Sequence, residues 1–279
     1  MKMSPVLVIT LLTCLGNPVA SAAEGRIKGT GGVSSTSGAG GGGLLPWATL
    51  TGHATREQWA GTLFVTRVDV DDFTLDVAGF GVNVRDRLEV SYARRKFTTE
   101  ATTDRIRQDN IGLKYRLGGD LLYGAMPQLS VGVEHGILRD PATANAVGAE
   151  RTRGSDLYIG AARGWIDGVA NRTTFLNINA RYTEANQFGL LGYGGNDGDR
   201  GLQMEAAGGI FVTRSWVVGA EYRHKPDNLL ALKEDSAVDL FVAWFPSKHF
   251  SVTGAWVNLG RIAGAGTQNG FYLSIQGGL

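Results

Sequence analysis

The chain has 279 residues, 43% apolar and 19% charged, with 27 basic against 26 acidic side chains. A balance that even gives no electrostatic footing for a nucleic-acid partner. The single cysteine, Cys14, excludes a disulfide scaffold, so stability has to come from backbone pairing and packing.

Residues 1–22 read as a cleaved export signal. Lys2 is the one charge before Glu24, residues 6–15 form a short apolar core, and Ala20-Ser21-Ala22 supplies the small-residue cleavage pattern. Ten such residues cannot span a bilayer as a helix, which needs roughly 20, and no later run is longer. A lipid attached to Cys14 would want a small residue before it, and Thr13 fits poorly. Cleavage leaves one domain, residues 23–279, thiol-free and formally neutral once Lys2 is gone.

After the leader comes a stretch with two readings. Residues 26–35 and 46–54 can form two strands of a sheet. Alternatively they fold, together with the Gly38–Gly43 tract, into the interior of whatever the later strands enclose. The tract formally satisfies G-x-G-x-x-G. A dinucleotide site needs a strand before it and a helix start after it, and here Ser/Thr-rich sequence precedes and Leu44-Leu45-Pro46 follows. A flexible loop or a lumen-filling segment is the expectation.

From Trp59 onward one unit repeats: about ten residues alternating apolar and polar, then a turn. The segments are 59–68, 73–84, 88–93, 110–117, 128–134, 157–165, 173–183, 202–212, 215–224, 236–245, 250–257 and 271–279. Leu176, Ile178, Ala180 and Tyr182 share one face, for example, with Asn177, Asn179 and Arg181 opposite. In 73–84 the apolar row changes frame between Val77 and Phe80, which predicts a bulge near Gly79. Period-2 segments whose polar face carries Ser, Thr, Asn, Gln, Gly and isolated charges invert the soluble pattern and match a transmembrane β-barrel, lipid outside and polar inside.

Short and long connections alternate along the chain, so the long ones are assigned to the external side and Leu279 to the periplasmic side. The expected fold is all-β, an antiparallel up-and-down barrel of 14 strands, with 12 strands and an N-terminal lumen segment as the alternative. Trp59, Trp165, Trp216 and Trp244 then lie near periplasmic strand ends, and Trp47 and Trp256 near external ends. Indoles prefer the lipid interface, which makes Trp59, Trp165, Trp216, Trp244 and Trp256 the expected interface anchors.

Three stretches carry a family likeness: residues 38–48 (GAGGGGLLPWA), 185–192 (ANQFGLLG) and 219–229 (GAEYRHKPDNL). With them the chain resembles a proteobacterial family of exported outer-membrane barrels, the domain-of-unknown-function family numbered 3034, over essentially its whole mature length. The resemblance implies a location in the outer membrane of a Gram-negative bacterium and supplies no catalytic residue. One departure concerns outer-membrane strands in general: these commonly end in Phe, and here the last residue is Leu279.

No catalytic, metal or cofactor site is expected. His249 with Ser247 or Ser251 is the nearest approach to a hydrolase pair, and His224 lies beside Lys225, Asp227 and Asn228. Neither completes a nucleophile, base and orienting group, which leaves a membrane-embedded lipid hydrolase as a remote alternative. Asn196-Asp197-Gly198-Asp199 and Asp69, Asp71 and Asp72 offer oxygen ligands without the spacing of a dedicated Ca²⁺ loop.

The polar face is more informative. Glu89, Lys114, Arg116, Glu134, Asp156, Arg181, Glu205, Glu221, Arg223 and Asp239 all fall on it, where they avoid the roughly 2–4 kcal/mol that a charge costs on the lipid face. They are the expected pore-lining residues of a porin-like channel for small polar solutes. The alternative is a closed structural or adhesion barrel in which the same charges fill the lumen as salt bridges. Expected partners are outer-membrane lipid, the barrel-insertion machinery and a small polar solute, with no nucleic acid. Residues 139–154 and 184–200, long and polar, are expected to act as external lids.

Overall fold

The computed structural model describes residues 28–99, 105–195, 200–229, 232–262 and 264–279. The export signal and Asn196–Asp199 lie outside these residues. Two short strands come first, β1 (Val33–Ser34) and β2 (Gly40–Gly41), and they pair with each other. The wall consists of β3 (Trp59–Val70), β4 (Phe73–Val84), β5 (Leu88–Thr99), β6 (Arg105–Gly118), β7 (Gln128–Leu138) and β8 (Arg153–Trp165), followed by β9 (Thr174–Thr183), β10 (Gly201–Phe211), β11 (Trp216–Arg223), β12 (Ala237–Trp244), β13 (Phe250–Arg261) and β14 (Thr267–Gly278). A short helix, α1 (Ala142–Ala146), interrupts the β7–β8 connection.

These twelve strands pair antiparallel in chain order, and β14 closes on β3. The amide of Leu279 completes the seam by donating to Gly61 O at 2.8 Å. Closure is what the membrane demands, because an open sheet edge would leave unpaired backbone groups in hydrocarbon. Among the described residues no helix is long and apolar enough to cross a membrane.

The wall has the twelve strands of the alternative reading; the two further strands of the 14-strand reading do not join it. Residues 31–52 are buried inside the barrel instead. The reason lies in their composition. Gly, Ser and Thr occupy both faces of this stretch, so it cannot present an apolar row to lipid, whereas the lumen offers it polar partners.

Local chemistry accounts for the turns. Arg85 and Asp86, the tight link between β4 and β5, have φ of +56° and +51°. Two consecutive left-handed residues make the hairpin turn whose twist matches the flanking strands.

The bulge predicted near Gly79 is absent. β4 keeps unbroken register with β3 and β5 from end to end. What changes is the environment: Phe73, Leu75 and Val77 face inward at the external end, and Phe80, Val82 and Val84 face outward below. The inner surface is itself apolar near the external mouth, where Val68, Val70, Phe73, Phe97, Ile106, Val257 and Ile262 are buried. Register does shift elsewhere, between Asn258 and Arg261 and between Arg116 and Gly118.

Candidate functional site: the occupied lumen

Nine of the ten charges expected to line a pore are buried on the lumen side: Glu89, Lys114, Glu134, Asp156, Arg181, Glu205, Glu221, Arg223 and Asp239. Arg116 also points inward, but it sits at the periplasmic end, bonded to Asp86 and to Gly119 O. The lumen they face is not empty. Residues 28–54 run through it as a plug, and four of these charges bind plug backbone.

Two carboxylates grip it. Glu89 accepts from Gly40 N at 2.9 Å and from Thr51 N at 2.7 Å. Glu221 accepts from Leu44 N at 2.8 Å and from Trp47 Nε1 at 2.9 Å. Two cations hold the carbonyls: Lys114 Nζ donates to Gly40 O and Thr49 O at 2.7 and 2.8 Å, and Arg223 Nη1 donates to Leu44 O at 2.8 Å. A buried amide or carbonyl is expensive to leave unpaired, and here the wall supplies the partner that water would otherwise provide.

Neutral side chains complete the grip. Asn177 Oδ1 accepts from Ala48 N at 2.8 Å, and Asn179 Nδ2 donates to Pro46 O at 2.6 Å. Gln128 and Ser130 both donate to Ala48 O. Ser34 and Ser37 of the plug reach out to Gln276 and Glu134.

The glycine tract makes this approach possible. A Cβ on Gly42 would lie 1.8 Å from Glu221 Oε1, and one on Gly40 would lie 2.7 Å from Thr51 N. The tract is therefore a lumen-filling segment, as one of its two readings had it, with glycine needed where wall carboxylates and neighbouring backbone press against the chain.

Behind the plug the remaining charges bind one another. Arg181 Nε meets Glu205 at 2.6 Å, and its Nη1 meets Glu134 at 2.8 Å and Asp156 at 3.4 Å. Arg223 Nε adds a second cation to Glu205 at 3.1 Å. Asp239 takes the amide of Glu221 at 3.1 Å.

The external mouth is covered by residues 184–195, almost all of them buried. Arg95 Nη1 donates to Phe188 O at 2.9 Å and Gln108 Nε2 to Gly189 O at 2.9 Å. Lys225 Nζ donates to Gln187 Oε1 at 2.7 Å, and Glu234 accepts the Gln187 amide with both oxygens. Burial pushes the Glu234 carboxyl up to about 7 and the Lys225 amine down to about 8. A cavity of about 40 Å³ lies between plug, lid and wall beside Leu44, Phe97 and Leu190.

The 14-strand reading puts Trp47 near an external strand end; the structure corrects this. Trp47 is buried in the plug with its indole N–H on Glu221, its ring 4.7 Å from that of Phe175. Trp59, Trp165, Trp216, Trp244 and Trp256 are all exposed on the outer surface. Trp216 and Trp244 pair across β11 and β12 with ring centroids 5.8 Å apart.

Arg95 was missed. Extending the alternation of Glu89 and Ser91 by two more inward positions would have found it.

The remaining motifs are otherwise engaged. The His249 amide donates to Ser247 Oγ and its carbonyl accepts from Gly278 N, and His224 Nδ1 meets Gln203. Asp69 binds Arg67 and Thr74, Asp71 takes the Asn269 amide, and Asp72 accepts from Gln268.

A closed, lipid-facing antiparallel barrel with a polar interior defines the outer-membrane type of β-barrel. The chain belongs to the family described as protein of unknown function (DUF3034), whose model matches residues 30–276. Among solved structures it is similar to "KdgM porin", with a TM-score of 0.51, 8% identity, and 77% of this chain and 98% of that chain covered. It is also similar to the "NanC porin", with a TM-score of 0.52 at 8% identity and the same coverage. At such identity the likeness concerns the fold. No curated protein matches the chain in sequence.

Proposed function

We propose that this protein is an outer-membrane channel closed at rest, which passes small polar solutes when its plug and lid give way. The observation that carries this reading is the nature of the plug's attachment. Five of the wall charges that would line an aqueous path, Glu89, Lys114, Glu134, Glu221 and Arg223, are occupied by polar groups of residues 37–51, and all of these but Glu134 hold plug backbone. Such bonds exchange for bonds to water at a net of only about 0.5–1.5 kcal/mol each, or about 1.5–3 where one partner is charged. A plug held this way can be displaced into a lumen that is already polar. A wholly apolar filling could not.

The outer membrane is the location that the lipid-facing wall and the family assignment support, with lipid as the surrounding partner and the insertion machinery as the assembly partner. Channel work here is binding and passage, without chemistry.

A second reading, the closed structural barrel, is favoured by the Arg181 network, in which three carboxylates share one buried cation. Planar-bilayer recording separates the two. The refolded full chain should be silent or open rarely, and the double variant E89Q/E221Q should show discrete open-state steps with the barrel still folded. Silence of the folded double variant would reject the channel and leave the structural barrel.

A further inference from the structure

The outer surface carries a charge asymmetry that lumenal work does not require. On β5, β6 and β8 the lipid-facing row is apolar through Val90 and Tyr92, Ile111, Leu113 and Tyr115, and Leu157 and Ile159. Toward the external ends the same rows turn basic: Arg94 and Lys96 on β5, Arg105 and Arg107 on β6, and Arg153 on β8, joined by Arg139 just after β7. Against these six cations the described residues place three carboxylates: Asp76 on β4, directly across from Lys96 and bound to Arg67, and Asp109 and Asp140, which act as internal clamps.

Asp109, its side chain only 4% exposed, holds Arg94 Nε at 2.9 Å and Arg139 Nε at 2.7 Å. Asp140 takes Arg107 through Nε at 2.8 Å and Nη2 at 2.9 Å. The three clamped guanidinium side chains stay 63%, 55% and 59% exposed for Arg94, Arg139 and Arg107. Lys96 stands directly across from Arg107 on β6, with Asp76 opposite it on β4. Like charges facing each other on one sheet surface are destabilising unless an anion lies between or above them.

Other flanks do not repeat this. On β3 and β4 Arg67 is matched by Asp69 and Asp76, and at the end of β13 Arg261 is matched by Asp235.

We propose that the external ends of β5 to β8 form a binding site for phosphorylated lipid headgroups, those of the phosphate-bearing glycolipid of the outer leaflet. Guanidinium forks pair phosphate oxygens two at a time, and carboxylate clamps fix them beforehand. The patch begins directly above the apolar band, at headgroup height. Four strands at about 4.8 Å spacing make it about 15 Å wide, the footprint of one headgroup. This inference rests on the outer-membrane reading. That reading is tested separately by membrane fractionation, and binding by purified protein is scored whatever the fractionation result.

The test titrates the refolded full chain in detergent with lipid A, with lipid A stripped of its phosphates, and with inorganic phosphate, counting bound lipid by native mass spectrometry. The variant K96Q/R105Q/R153Q removes three cations and keeps both carboxylate clamps, so the barrel should hold. Expected are at least tenfold tighter binding of lipid A than of the stripped lipid, and at least a tenfold loss in the variant. Equal binding of the stripped lipid, or full affinity in the folded variant, would overturn the site. Displacement of lipid A by equimolar inorganic phosphate would also overturn it, by showing a free-anion site instead.

Discussion

Replacing Gly42 with alanine should unlatch the plug while leaving the wall intact. The new Cβ would lie 1.8 Å from Glu221 Oε1 and 2.3 Å from its carboxyl carbon, so the carboxylate has to leave its place. Its bonds to Leu44 N and Trp47 Nε1 then go. Two charge-assisted bonds at about 1.5–3 kcal/mol each put the loss at about 3–6 kcal/mol. At about 1.4 kcal/mol per tenfold, plug opening rises at least about a hundredfold. Hydrogen exchange followed by mass spectrometry on the folded barrel reads this directly. Peptides covering residues 36–54 should exchange at least about a hundredfold faster, and wall peptides should not change. Gly266→Ala is the control, because a Cβ there meets nothing within 4 Å. A plug that exchanges at the parent rate in Gly42→Ala refutes the latch. Loss of protection by wall and plug together refutes it equally, since they would then be one cooperative unit.

Arg181→Gln should be far more damaging than its position on one strand suggests. It strips Glu134, Asp156 and Glu205 of a shared buried cation, which costs about 3–5 kcal/mol and should show as a lowered refolding yield and a lowered unfolding midpoint; normal folding would remove the structural role. A variant retaining Trp47 as its sole tryptophan should resist quenching by interface-labelled lipid, whereas one retaining only Trp216 should be quenched. The lid should tighten as pH falls from about 7.5 to 5. Burial raises the Glu234 carboxyl above its value in an opened lid, so the closed form takes up the proton and gains over that window. Lys225, lowered to about 8, regains its remaining charge only at the top of that window and adds a small slope of the opposite sign there. Protection of the Gln187 amide measures this, and the tightening should vanish in Glu234→Gln.

The sequence by itself determined the wall. Period-2 alternation from Trp59 to Leu279 fixes which side chain of each strand meets lipid, because one step in register would turn every apolar row inward. It placed nine charges in the lumen and five tryptophans on the outer surface by the same parity. Parity is silent on what lies between the walls. The stretch from Lys28 to Ala54 lacks an alternating apolar row, so its sequence was compatible with strand or filling, and only the closed barrel decided: twelve strands seal without it, and Glu89, Lys114, Glu221 and Arg223 converge on its backbone. The same holds for Phe73, Leu75 and Val77. Their change of face looked like a bulge along one strand, but it arises from an apolar patch shared by β3, β4, β5 and β13. Trp47 shows the limit most plainly. An indole seeks a place that is apolar on one side and accepting on the other, and Phe175 with Glu221 provides it as well as a lipid interface does. Contacts between residues 129 or 174 positions apart in the chain belong to the tertiary structure, because nothing local in the chain encodes which wall acceptor closes over which N–H of the plug.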